Sequence, residues 1–389
     1  MWFGWKWEQA MDFLSYIQLP FGYLLPFLAA LAIIVFIHEL GHFLVARWCG
    51  VTVEVFSIGF GREIYGRDDK HGTHWKICWL PLGGYVKFEG DANAASLPQA
   101  TPGAAINRSA GNFHGKSVWR RSAVVAAGPV ANFILAILIF ASLFMFVGIP
   151  MNEPRVDSVI PGSAAEKAGI KPGDLFTAID GQKIETFVDL QQAVWTRGGE
   201  QLTVVIDRQG TILSLQLVPD IKSESDGFGG TVKMGLLGVQ RAPDGGNANV
   251  QRLSPVAAVG RGAEETWRII SVTFKYLGKL VTGNESSKQI GGAISIAKGA
   301  GDAASSGFTR FATYVAILSV SVGLINLFPI PMLDGGHLVY YAIEKVLGKP
   351  LGQQAQEWGF RVGLSLVVML MAFGFWNDLT RVFAMMVGS

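Results

Sequence analysis

Cysteine is almost absent: there are two in 389 residues, Cys49 and Cys78. Two are too few for a disulfide framework and no C-x-x-C pair occurs, so both thiols read as ordinary buried or interfacial groups. Charge is also scarce. Only 16% of residues are charged and the formal net charge is +2, which leaves no electrostatic footprint for a nucleic-acid partner. The N-terminus lacks a signal peptide's features, having one lysine, two acids and no small-residue cleavage site before its apolar run. Its tryptophans, Trp2, Trp5 and Trp7, read instead as a segment at a membrane interface.

What fills the chain is apolar. Half of it is hydrophobic, with a mean hydropathy of +0.34. Four stretches are long enough to cross a bilayer as helices: the first ends at residue 48, and the others lie in 122–148, 308–337 and 362–385. The fold expected is a multi-pass α-helical membrane protein with four transmembrane helices, a membrane-associated β-hairpin sheet and one inserted α+β domain.

Inside the first span stand His38, Glu39 and His42. Ionisable groups in hydrocarbon are expensive and mark function by default. In a helix, residues four apart share a face, so both imidazoles can reach one metal ion. Glu39 lies beside them, where the base of a metal-assisted hydrolysis is needed. The competing reading is a pair of core histidines bonded to neighbouring helices.

Residues 1–48 thus form an interfacial segment plus the first span. Residues 49–90 alternate like strands and read as hairpins, with Phe56, Ile58, Trp79, Leu80, Val86 and Phe88 as an apolar outward face. Residues 91–121, rich in Ala, Gly, Ser and Pro, read as a linker. The second span carries Gly128, Pro129 and Asn132; small residues there permit close helix contact, and Asn132 reads as inter-helix glue, with contact to a substrate the alternative.

Residues 151–245 change character, alternating short strands with turns and two short helices. The run S-x-A-x-x-A-G-x-x-x-G-D-x-x-x-x-I-D-G from Ser163 to Gly181 resembles a PDZ domain, which implies capture of an extended peptide by strand addition. The apolar stretch 234–239 is expected to complete its sheet. Residues 264–302 form an amphipathic region suited to a membrane surface, with Trp267, Ile270, Phe274 and Leu277 on one stripe.

The third span runs into NLFPIPMLDGGH, residues 326–337, where Pro329 and Pro331 stop the helix. Arg47, Arg62, Arg108, Lys116, Arg120 and Arg121 flank the first inter-span loop, whereas Arg155, Lys298 and Arg310 are the chief charges near the ends of the second. The positive-inside rule therefore places the first loop in the cytoplasm and the PDZ-like region on the other side. With four spans, His38, His42 and Asp334 fall at one membrane edge. A catalytic zinc takes three protein ligands and keeps a position for water. Asp334 is the preferred third ligand, and His337 its rival.

HELGH at 38–42, GGYVKF at 83–88, GPVAN at 128–132, GGAISIAKGAG at 291–301 and NLFPIPMLDGGH at 326–337 together resemble the site-2 protease family of intramembrane zinc metalloproteases, most closely its bacterial sigma-E-regulating branch. The resemblance implies Zn2+ held by His38, His42 and Asp334, with Glu39 catalytic. It implies substrate handling by Asn326. The strand-forming stretch Gly83, Gly84, Tyr85 and Val86 is expected to hold an unwound substrate. Implied substrates are single-span membrane proteins of the anti-sigma-factor kind and remnant signal peptides, cut within the lipid bilayer of the bacterial inner membrane, the active site lying toward the cytoplasm and the PDZ-like domain in the periplasm. Members of that branch carry two tandem PDZ domains, and this sequence shows one such run. An inactive membrane scaffold that holds partners through the PDZ-like region, or a metal-handling membrane protein, are the alternatives; neither has a use for Glu39.

Overall fold

In the computed structural model, residues 4–91, 111–150, 153–195, 197–225, 231–241, 250–282 and 291–387 are described. Trp2 and Arg108 lie outside them. The chain divides into two compact units, one of residues 1–142, 257–285 and 291–378, the other chiefly 143–256.

The chain begins with one continuous helix, α1 (Gly4–Trp48), of which Phe21–Trp48 is apolar enough to cross a membrane. It gives way at Gly50, whose φ of +71° suits a residue without a Cβ. Strands β1 (Val53–Asp68) and β2 (His74–Phe88) follow. Both bend, so that Val55–Ile58 stands opposite both the stretch from Lys87 to Gly84 and the stretch from His74 to Ile77. This corrects the expected outward face. Phe56, Val86 and Phe88 are buried, packed with Phe43 and Val124, because the doubled sheet lies on α1 and α2. Phe56 stacks on Trp75 with centroids 4.2 Å apart. Trp79 and Leu80 are exposed, and are joined by Phe60, Ile64 and Tyr65. The sequence GGYVKF is the end of β2 and not a separate hairpin.

Helix α2 (Val118–Phe146) starts inside the stretch expected to be linker, taking in Arg120 and Arg121. It passes against α1 closely: a methyl group on Gly41 would overlap the Ala127 carbonyl oxygen. Ser319, further along the chain, donates to the Asn132 carbonyl at 2.8 Å, and both residues are fully buried.

The second unit follows, beginning with β3 (Ile149–Pro150), β4 (Ser158–Val159) and α3 (Ala164–Lys167). Ser163 caps α3 and the Glu166 carboxylate returns to the Gly162 amide at 2.6 Å. Then come β5 (Leu175–Ile179), β6 (Gln182–Lys183), α4 (Phe187–Trp195), β7 (Leu202–Arg208) and β8 (Thr211–Leu217). These four strands make an antiparallel sheet in the order β6-β5-β7-β8. Leu202, Val204 and Ile206 alternate inward from β7 onto Phe176, Leu190 and Val194, forming this unit's own core. The remaining strands, β9 (Asp220–Ser225), β10 (Thr231–Leu236), β11 (Val239–Gln240) and β12 (Val250–Gln251), pair elsewhere. Residues 234–239 do not extend the main sheet: β10 pairs with β9 and β11 with β4.

Back in the first unit, α5 (Pro255–Val281) is longer than the amphipathic stretch read from sequence, and Trp267 and Phe274 face outward from it. Helix α6 (Ala293–Ser305) begins on the Asp378 carboxylate, which accepts from the Gly292 and Ile294 amides at 3.0 Å each. Helix α7 (Phe308–Leu327) ends at the two prolines. Helix α8 (Asp334–Leu347) starts at the aspartate itself. Between them Phe328 is extended and Met332 has a φ of +90°. Methyl groups on Gly335 or Gly336 would overlap the carbonyls of Phe328 and Ile330, so the two glycines let the break fold back tightly. Helix α9 (Gln353–Val387) is the last. Among the described residues, four helices are long and apolar enough to span a membrane: α2, α7, and parts of α1 and α9. With half of its residues hydrophobic, the chain is a multi-pass membrane protein.

Candidate metal centre

Helices α1 and α8 meet at one cavity. Helix α1 presents His38 and His42 from adjacent turns, and the first residue of α8 presents Asp334. The two Nε2 atoms are 3.2 Å apart. Asp334 Oδ2 stands 3.2 Å from His38 Nε2 and 3.6 Å from His42 Nε2. His42 Nδ1 lies 2.9 Å from the Val124 carbonyl oxygen and donates to it, which leaves a lone pair on Nε2. Asp334 Oδ2 is buried and makes no hydrogen bond. Two imidazole nitrogens and a carboxylate oxygen converging this closely suit a cation.

Zinc fits that call. Donors about 2.05 Å from a tetrahedral ion stand about 3.3 Å from one another, the spacing found here. The donor set of two imidazoles and one carboxylate is that of a hydrolytic zinc site with an open position. Room is kept by α2, since a methyl group on Gly128 would overlap His42 Nε2 and crowd the His38 ring.

The cavity, about 220 Å³, is lined by these three residues and by Glu39, Gly84, Tyr85, Val86, Asn326 and His337. Gly84 lies directly over α1: a Cβ there would stand 3.1 Å from Glu39 Cγ. Gly83 is not part of the lining and packs on the Phe60 ring. His337 shares the cavity, but the group close enough to hold an ion is His38, His42 and Asp334.

Sequence reasoning passed over three contributors. Gly128 supplies space, Val124 supplies a backbone carbonyl, and Asn132 approaches His38 Nδ1 at 3.2 Å with its Nδ2 while reading from sequence as glue. GPVAN was a visible signal for two of them, although nothing in it said which neighbour they face. A carbonyl at Val124 leaves no trace in sequence.

The fold and the site together define a membrane-spanning metal-dependent hydrolase. The chain belongs to peptidase family M50, whose profile matches residues 26–370. A protein of Agrobacterium fabrum, carrying the provisional name of a zinc metalloprotease, is 46% identical over 92% of this chain and 96% of its own length. The metalloprotease MmpA of Caulobacter vibrioides is 40% identical over 92% of this chain and 95% of its own. The protease RseP of Yersinia pestis is 32% identical over 92% of this chain and 98% of its own. That last alignment runs over 456 positions, more than the 389 residues of this chain, so the relative carries residues that this chain lacks. The protein is a zinc metalloprotease.

Proposed function

We propose that this chain is an intramembrane endopeptidase of the bacterial inner membrane, cutting peptide bonds within the membrane segment of single-span proteins. The convergence of His38, His42 and Asp334 beside Glu39, in one cavity roofed by the end of β2, carries the reading. His38, His42 and Asp334 hold the zinc. When bound, the ion lowers the pKa of a water molecule and polarises the scissile carbonyl. Glu39 takes the proton from the water as it attacks, then delivers it to the leaving amide nitrogen.

A helical substrate keeps its carbonyls in its own hydrogen bonds and must unwind before it is cut. The stretch Gly84–Val86 has β1 on one side, and no other strand pairs with it among the described residues. It can therefore take an unwound segment as an added strand. Gly84, without a side chain, permits that approach above Glu39, and Asn326 offers a polar side chain from the end of α7. Candidate substrates are anti-sigma-factor-like proteins and remnant signal peptides. The arginines around the first loop support an active site toward the cytoplasm. The 151–245 stretch, read as a single PDZ-like domain, then lies in the periplasm and takes an extended peptide by strand addition.

The test uses purified wild type and Glu39→Gln in vesicles with a labelled single-span substrate, measuring zinc content and mapping products by mass spectrometry. The expected result is zinc in both, and cleavage within the hydrophobic segment by wild type alone. Equal cleavage by E39Q, or cuts confined to the substrate's soluble flanks, overturns it.

A further inference from the structure

A histidine that ligates through Nε2 must carry its proton on Nδ1, and that proton needs an acceptor when the ring is buried. His42 meets this demand through the Val124 carbonyl. His38 Nδ1 faces the amide of Asn132, 3.2 Å away. Asn132 is fully buried. In the orientation present, its NH2 group faces the ring and its Oδ1 is buried without any hydrogen-bond partner. That arrangement suits a His38 protonated on Nε2, which has no lone pair to give an ion. The two ends of a carboxamide have nearly the same shape, so a half-turn exchanges them without disturbing the packing. It puts the orphaned oxygen opposite Nδ1, and a buried acceptor left unpaired costs free energy until it is used.

We propose that Asn132 is a positioning residue for the metal centre: its side-chain oxygen accepts the Nδ1 proton of His38 and aims the Nε2 lone pair at the ion. Helix α2 then holds both ligand histidines, one by a backbone carbonyl and one by a side chain, in the antiparallel order that pairs 42 with 124 and 38 with 132. The Ser319 hydroxyl donates to the Asn132 backbone oxygen and does not touch the side-chain amide.

The inference rests on reading His38 as a ligand, and the experiment separates the two. Zinc affinity is measured by competition with a chromogenic chelator on full-length wild type, Asn132→Leu, Asn132→Asp, Ser319→Ala and His38→Ala, alongside thermal unfolding of each metal-free form. Asn132→Leu keeps the volume and removes the acceptor; zinc affinity is expected to fall about 10- to 100-fold, the range for an outer partner of a ligating histidine. Asn132→Asp restores an acceptor and is expected to stay within about threefold of wild type. Ser319→Ala, which loosens the helix contact alone, is expected to leave zinc affinity unchanged. Wild-type affinity in N132L together with a large loss in H38A overturns the proposal while sparing the ligand assignment. Wild-type affinity in H38A overturns the ligand assignment beneath it. If N132L does not fold, N132D decides: a loss as large as that in H38A also overturns the proposal.

Discussion

Gly128 acts on the centre through what it omits. The space above it is where the two imidazoles point, and a single methyl group would enter the position of His42 Nε2. Gly128→Ala is therefore expected to weaken zinc at least tenfold, about 1.4 kcal/mol, and to lower proteolysis in step. Gly22→Ala, on α1 with nothing within 4 Å of its added carbon, is the control expected to leave both unchanged; equal zinc affinity in G128A and wild type contradicts the account. At this scale His38, Glu39, His42 and Asp334 could be named as candidates from the sequence, because metal chemistry admits few donor types and the i, i+4 spacing leaves a mark. The parts played by Gly128 and Val124 could not. One is a void and the other a backbone atom, and both depend on which helix comes alongside.

Helix α8 carries Asp334 at its first residue and is secured ten residues later. Arg121 of α2 donates to both oxygens of Glu344, at 3.1 and 2.6 Å, and its guanidinium lies 4.8 Å from the centre of the Tyr341 ring. Arg121 is itself buried. Removing one partner of such a pair leaves an uncompensated charge and costs about 3 kcal/mol or more. Glu344→Ala and Arg121→Ala are each expected to lower the thermal midpoint, and the double variant to cost less than their sum. Strict additivity would show that the pair does not couple α2 to α8. The four long apolar helices were legible as such, since composition and length are local properties. The start of α8 was legible only as a break after Pro331. Its fourteen residues are amphipathic, but the reading stopped at the break, and Gly335 and Gly336 let the chain turn back there against Phe328 and Ile330. The bent β1–β2 pair misled for a related reason: alternation assigns residues to two faces but says nothing of a strand that doubles over, so Phe56, Val86 and Phe88 were placed outside.

Across the whole molecule, two units with separate cores answer to different chemistry. In the 143–256 unit, Asp174 is nearly fully buried and its carboxylate accepts from the Arg208 Nε and a terminal guanidinium nitrogen at 2.7 Å each. Burial pushes its pKa up, but the Arg208 hydrogen bonds and the Lys171 amide outweigh that and hold it below the ordinary carboxylate range. A carboxylate depressed on folding stabilises above its unfolded value, about pH 4, and that contribution disappears as pH falls through the folded value. Hydrogen-exchange protection in this unit, taken relative to the intrinsic exchange rate at each pH, is thus expected to fall in acid for wild type, with Asp174→Asn removing part of that pH dependence; an unchanged profile in D174N would contradict it. For the first unit the proposed function puts an ion between α1 and α8, at His38, His42 and Asp334. The most direct test of that claim is zinc per chain in purified Asp334→Ala. The account predicts about one zinc per chain in wild type and only a small residual fraction in the variant. A full complement of zinc in D334A would show that α8 does not close the site.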